Sequence, residues 1–187
     1  VHTMMSHFST LPIATYHTVL LAQRGPALDF NRNWICWKAL QESATHVCFI
    51  DTDMTYPSRT INQLLELDKP VVGIASRKKK HPLQYTIEVD EPTGARSIGD
   101  SELPKEPFSH INGSPVLVGT GIMLIDLKKV NDWVPKPWFL LETYWNGDEE
   151  PGYTGEDIYF CRKAWKYGLE VWCDPTIKIG HIGDFLY

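Results

Sequence analysis

The chain has 187 residues, 43% of them hydrophobic and 22% charged. That is enough for one core and little more, and it excludes disorder, collagen and coiled coil. The net charge of -5 disfavours a broad basic face for nucleic acid. No apolar run approaches the roughly 18 residues of a membrane helix, and Val1 to Pro12 lacks the basic-then-apolar order of a signal peptide.

Elements alternate in kind along the chain, the pattern of an α/β domain. Thr3 to Phe8 reads as part of a helix, and His17 to Gln23 as a buried strand ended by Arg24-Gly25-Pro26. Asp29 is placed to cap a helix over Phe30 to Glu42, with Trp34, Ile35, Trp37 and Leu40 as its apolar face. His46 to Ile50 is a short apolar strand, followed by a polar loop over Asp51 to Pro57. Ser58 caps a helix through Glu66, and Pro70 to Ser76 is a third buried strand. A basic run, Arg77 to His81, leads into a strand over Gln84 to Val89 and a long loop over Asp90 to Pro107. Val116 to Asp126 has buried-strand character, broken at Gly119 and Gly121. Asp126 caps a helix through Asn131; Trp138 to Leu141 is a short strand, and Tyr144 to Gly155 a loop. Glu156 to Tyr167 is an amphipathic helix closed by Gly168. Short strands follow over Glu170 to Cys173 and Thr176 to Ile179, before Gly180-His181-Ile182-Gly183.

The four cysteines, Cys36, Cys48, Cys161 and Cys173, form no C-x-x-C pair and sit in apolar segments. They read as small buried hydrophobes in a reducing compartment.

The chemistry-bearing residues concentrate at element ends. Asp51-Thr52-Asp53 follows the strand HVCFI directly. Carboxylates at i and i+2 project to one side of an extended backbone, outside the carboxyl end of a strand, where α/β sheets place ligands. Such a pair suits a hard divalent ion, Mg2+ or Mn2+, bridging a diphosphate. His181 between glycines is a further metal-ligand candidate, and a turn histidine is the plainer alternative. Glu156-Asp157 opens a helix, where capping explains it and a general base is the functional alternative. Arg32 could meet a nucleotide or a loop acid, and Arg77 emerges at a strand end where phosphate could sit. Trp138, Tyr144, Trp145 and Tyr153 are candidates for a sugar-stacking surface; Trp34, Trp37, Trp165 and Trp172 fit core packing.

Taken in order, Asn31-Arg32-Asn33, HVCFIDTDM at 46 to 54, DKPVVGIASR at 68 to 77, VGTGIMLI at 118 to 125 and GEDIYFCRKAWKYGLEVWCDPTIKIGHIG at 155 to 183 resemble a glycosyltransferase of the GT-A fold. The similarity is to small family 2-like enzymes of phages and bacteria, and it runs from Val19 to Gly183. It implies a single Rossmann-like α/β domain over the chain, with a mixed, mostly parallel central sheet flanked by helices. It implies a cytoplasmic enzyme moving a sugar from a UDP- or GDP-sugar to a carbohydrate or other hydroxyl acceptor, with inversion. Asp53, His181 and Asp51 would hold Mn2+ or Mg2+; Asp51, Asp53, Arg32 and Arg77 would bind the donor. Asp157 would be the catalytic base, with Glu156, Gly121 and Trp145 on the acceptor side and Gly119-Thr120-Gly121 lining the sugar. The family's opening strand has no counterpart before Val1-His2-Thr3-Met4, which leaves an open sheet position that a second copy could fill.

Two other readings compete. Val47 to Thr55 fits the opening h-h-h-h-D-x-D-x-T motif of haloacid-dehalogenase-type phosphatases, with Asp51 as nucleophile and Asp53 as acid/base. That motif belongs on a first strand, and a long segment precedes it here, with no late G-D-x-x-x-D pair. A non-catalytic nucleotide-sugar or carbohydrate-binding remnant is the other. Asp53, Asp157 and His181 together favour a catalyst, because binding alone needs no positioned base.

Overall fold

Strands that are near-continuous apolar runs must be covered on both faces, and the strands of the central sheet are apolar except at their ends, His46, Asp126 and Asp174. The computed structural model describes residue 21 and residues 27–78, 84–145 and 151–182. The helix expected over Thr3 to Phe8, the strand over His17 to Gln23 (Leu21 apart), the end of the basic run at 79–81 and the open sheet position before the chain's start lie outside the described residues.

In chain order the elements are α1 (Leu28–Gln41), β1 (His46–Ile50), β2 (Met54–Thr55), α2 (Thr60–Glu66), β3 (Val71–Ile74), β4 (Glu88–Glu91) and β5 (Gly94–Ser97). A 3-10 turn at Asp100–Glu102, β6 (His110–Ile111), β7 (Ser114–Leu117), β8 (Ile122–Asp126) and α3 (Leu127–Trp133) follow. The rest are β9 (Glu142–Trp145), β10 (Pro151–Thr154), α4 (Glu156–Lys166), β11 (Val171–Asp174) and β12 (Gly180–His181).

The central sheet has the order β1-β8-β3-β11. β8 runs antiparallel to both neighbours, with Ile122 opposite Ile50 and Met123 opposite Gly73; β3 and β11 alone are parallel. A second sheet, β5-β4-β7-β6, is antiparallel throughout. Two small ribbons, β9/β10 and β2/β12, are antiparallel as well. The expected Rossmann-like GT-A sheet, mostly parallel, is therefore incorrect. Alternation of helix and strand does not fix strand direction, because a parallel neighbour requires a crossover. β8 instead enters the central sheet from β7 of the second sheet, through 118–121.

Period-2 alternation along β8 divides the core. Met123 and Ile125 join Cys36 and Ala39 of α1 and Phe160, Cys161 and Ala164 of α4. Ile122 and Leu124 join Met54, Leu64 of α2, Val72 and Ile74 on the other face. The four cysteines are free, and burial pushes the Cys36 and Cys48 thiols up to about 12. Among the described residues no helix is long and apolar enough to cross a membrane.

Several local expectations stand. Asp126 caps α3, accepting from the Lys129 amide at 3.0 Å, and Gly168 closes α4 with φ of 81°. Others need correcting. Ala27, not Asp29, is the N-cap of α1; the Asp29 carboxylate accepts from the amides of Phe30 and Leu141. Arg59, not Ser58, precedes α2. The supposed loop over Asp90 to Pro107 holds the β4/β5 hairpin, and that over Tyr144 to Gly155 holds much of the β9/β10 ribbon. Trp138 to Leu141 is no strand, because its backbone bonds go to the side chains of Asn33 and Asp29. Asn33 accepts from the amides of Trp138 and Phe139 and donates to the Phe139 carbonyl at 2.7 Å. Asn33 thus acts as the missing strand neighbour. Trp138 is buried with its indole N–H on the Val134 carbonyl, so it offers no sugar surface, while Trp37 is exposed. Thr176 to Ile179 forms no strand; the pairing falls on β12.

The second sheet packs tightly on the first at one glycine. A Cβ on Gly73 would stand 2.8 Å from the Val118 Cβ and Cγ2, both in the core. Gly73→Ala should therefore cost roughly 1–3 kcal/mol of stability by overpacking. Gly73→Ala with Val118→Gly, which removes the opposing Cβ as well, should differ from Val118→Gly alone by much less. Urea unfolding checks this, and an unchanged midpoint in Gly73→Ala would refute the close approach.

Candidate functional site

Asp51 leaves β1 with its amide still on the ladder, donating to the Gly121 carbonyl at 2.9 Å. The chain then turns: the Met54 amide donates to the Asp51 carbonyl at 3.2 Å. Asp51 and Asp53 consequently sit on a β-turn, not on an extended strand, and their carboxylates address different partners. Asp51 lies 3.9 Å from the Arg32 guanidinium, whereas Asp53 lies 3.9 Å from Nε2 of His181.

The tail is brought to this turn by β12. His181 is opposite Met54, and the Ile182 amide donates to the Asp53 carbonyl at 2.7 Å. Nδ1 of His181 is 2.8 Å from the Arg77 carbonyl. A carbonyl only accepts, so Nδ1 carries a proton, and in the neutral imidazole the lone pair is on Nε2, the nitrogen 3.9 Å from Asp53. That is how metal-ligating histidines are oriented. Adjacent ligands about 2.0–2.1 Å from one ion stand roughly 3 Å apart, so Nε2 and the Asp53 oxygen would have to close by about 1 Å to share one. Among the described residues no set of three His, Cys, Asp or Glu side chains stands at metal-holding spacing. Asp51 accordingly faces Arg32 and not a three-ligand cage.

Arg32 projects from the first turns of α1 into the interior and is 8% exposed. It pairs with Glu156 at the start of α4, also buried, as well as with Asp51. Burial pulls its guanidinium below the ordinary value, and Asp51 and Asp157 pull it back up. Glu156, expected beside the acceptor, is thus occupied by Arg32. Asp157 next to it is partly exposed, with Oδ1 accepting from the Ile158 amide at 2.8 Å. Its carboxylate sits between two glycines: a Cβ on Gly155 would come 2.9 Å from Oδ1, and one on Gly119 would be 3.6 Å from Oδ2.

The electrostatics join these groups. The Asp51 carboxyl is accessible yet crowded by protein atoms, and that crowding pushes its pKa up. Arg32 lowers it, Asp53 and Asp157 raise it, and His181 lowers it. Three sequence stretches, around 32, 51–53 and 156–181, therefore share one field.

Three other sequence candidates sit differently. The Arg77 guanidinium bonds Asp100 at 2.7 Å and stacks on Tyr85, which leaves its carbonyl, not its charge, as its contribution to the Asp53–His181 pair. Gly121 holds the aspartate turn through its carbonyl and faces Met54 and Ser76. Trp145 is on the exposed β9/β10 ribbon. Sequence reasoning passed over the Arg77 carbonyl and the Ser76–Thr86 hydroxyl pair, 2.8 Å apart beside Gly121. A backbone carbonyl has no sequence signal, and a hydroxyl pair ten residues apart has only a weak one.

No family model matches the chain, and no curated protein does. Among solved structures the chain is similar to A197 from STIV, with a TM-score of 0.56 and 15% identity, over 95% of this chain and 78% of that one. At that identity the similarity concerns the fold alone.

Two predictions follow from the site. Arg32→Met leaves the Glu156 carboxylate buried without its cation, and should cost about 3–5 kcal/mol in urea unfolding. Adding Glu156→Gln should recover part of that loss; equal stability of Arg32→Met and the wild type would refute the pairing. A carbon-13 titration should place Asp51 above the ordinary value of about 3.9. Asp53→Asn, which removes a raising charge, should move it down. Because the folded value is the raised one, Asp51's stabilising contribution is full below the unfolded pKa and is lost as pH rises through the folded pKa. A midpoint at or below the ordinary value would contradict the crowding.

Proposed function

We propose that the chain transfers a sugar from a nucleotide-sugar donor, a UDP- or GDP-sugar, to a hydroxyl acceptor, using Mn2+ or Mg2+. The observation that carries this reading is the Asp53–His181 pair, with its histidine tautomer fixed, set in the same field as Asp51 and Asp157. Two protein ligands suit a hard ion that completes its shell with diphosphate oxygens and water. The bound ion would offset the charge that develops on the diphosphate leaving group.

The chain's own groups have distinct tasks in this reading. Asp53 and His181 fix the position of the diphosphate end. Asp51, at the rim of the same turn, accepts from a ribose hydroxyl. Arg32 holds Asp51 and Glu156 apart and keeps the start of α4 against α1. Asp157 takes the proton of the acceptor hydroxyl as that oxygen bonds to the anomeric carbon and the bond to the diphosphate breaks. Attack from the side opposite the leaving group inverts that carbon. Gly155 and Gly119 leave its carboxylate room. The four free thiols suit a reducing, cytoplasmic setting.

Calorimetric titration with UDP and GDP, with and without Mn2+, tests this directly. One nucleotide should bind in a manganese-dependent way. Asp53→Ala or His181→Ala should weaken that binding on the order of 10–100-fold. Asp157→Asn should leave binding intact and lower transfer by about 10²–10⁴-fold. Metal-independent binding, or equal metal dependence in all variants, would remove the metal assignment. Undiminished transfer in Asp157→Asn would remove the base.

A further inference from the structure

The β9/β10 ribbon runs straight into Gly155 and Asp157, and its two faces differ. On one face Tyr144 is opposite Gly152. A Cβ on Gly152 would stand 2.5 Å from the Tyr144 ring, so the ring lies across the partner strand where only glycine admits it. This cross-strand contact pins the ribbon. Side chains alternate along a strand, so the opposite face carries Thr143 and Trp145 from β9 and Pro151 and Tyr153 from β10. Trp145 is opposite Pro151 and Tyr153 opposite Thr143. The two aromatic residues are therefore diagonal neighbours, within mutual reach of aromatic side chains. Trp145 is 71% exposed and Tyr153 70%.

We infer that this face binds a carbohydrate acceptor, with pyranose rings laid by their C–H faces on Trp145 and Tyr153. The inference rests on the transferase reading for its link to Asp157, not for the binding itself. Its chemistry favours sugar over protein. The face offers flat rings, a proline and two hydroxyls, those of Thr143 and Tyr153, and no long aliphatic chain. A second exposed apolar surface among the described residues, Leu28, Phe30, Trp37 and Leu140 about α1, mixes aliphatic and aromatic groups and lacks that selectivity. An aromatic plane buries the apolar face of a pyranose and leaves its edge hydroxyls to polar groups. The ribbon is also continuous with the site. Tyr153 precedes Gly155 by two residues and Asp157 by four, so the face and the proposed base are joined by no more than about 13 Å of chain.

The test uses the full chain titrated separately with maltotetraose, cellotetraose and chitotetraose, followed by tryptophan fluorescence and by the indole N–H resonance of Trp145. UDP with Mn2+ is titrated in parallel. At least one saccharide should saturate and shift that resonance. Trp145→Ala and Tyr153→Ala should each weaken it about 3–10-fold, and Trp145→Phe should restore much of the loss. UDP–Mn2+ binding should be unchanged in all three variants. If the wild type binds UDP–Mn2+ but none of the saccharides, or binds a saccharide equally in both alanine variants, the platform is overturned and the donor reading stands. If saccharide binding depends on Trp145 but no nucleotide binds with any metal, the platform stands and the transferase reading falls.

Discussion

A guanidinium placed almost out of water must be answered by carboxylates, and Arg32 is answered by two. Glu156 reaches it from the first turn of α4, and Asp51 from the turn after β1. An unpaired charge at that depth would be strongly destabilising, and a paired one adds little net stability. What the arrangement does supply is placement. It joins α1 to α4 and orients the aspartate turn. The neighbouring carboxylate, Asp157, then stands partly exposed between glycines, while Glu156 is tied inward.

The second determinant is the link at 118–121. β7 belongs to the outer antiparallel sheet and β8 to the central one, so a single apolar run serves two sheets. The link passes Gly119, against which the Asp157 carboxylate rests, and Gly121, whose carbonyl receives the Asp51 amide. The change of sheet thus places backbone beside Asp51 and Asp157. It also reverses β8 relative to β1 and β3, which is why the central sheet is mainly antiparallel. The two cores on either face of β8 follow from the same strand by simple alternation.

Where the sequence was legible, the signal was local. The apolar runs became β1, β3 and β8; Asp126 capped its helix; Gly168 ended another. Turn signals that could have revealed more went unused. Asn112-Gly113, both at positive φ, make the tight β6/β7 turn that such a dipeptide favours. Gly94 does the same for β4/β5, inside what reads as a loop. Trp138 to Leu141 has the composition of a strand, yet Asn33 and Asp29, each more than a hundred residues away, take its hydrogen bonds. A side chain standing in for a strand leaves no periodic trace.

The sequence by itself determined which segments are buried and which carboxylates, histidine and arginine lie at element ends, because burial and capping depend on neighbours a few residues apart. Tertiary structure alone decided strand direction, the pairing of Arg32 with Glu156, and the split of Asp51 and Asp53 onto different partners. It alone decided that the Arg77 carbonyl fixes the proton on His181. Each of these depends on groups brought together across long stretches of chain, where the balance of charge, desolvation and backbone hydrogen bonding exists only once the sheets have formed.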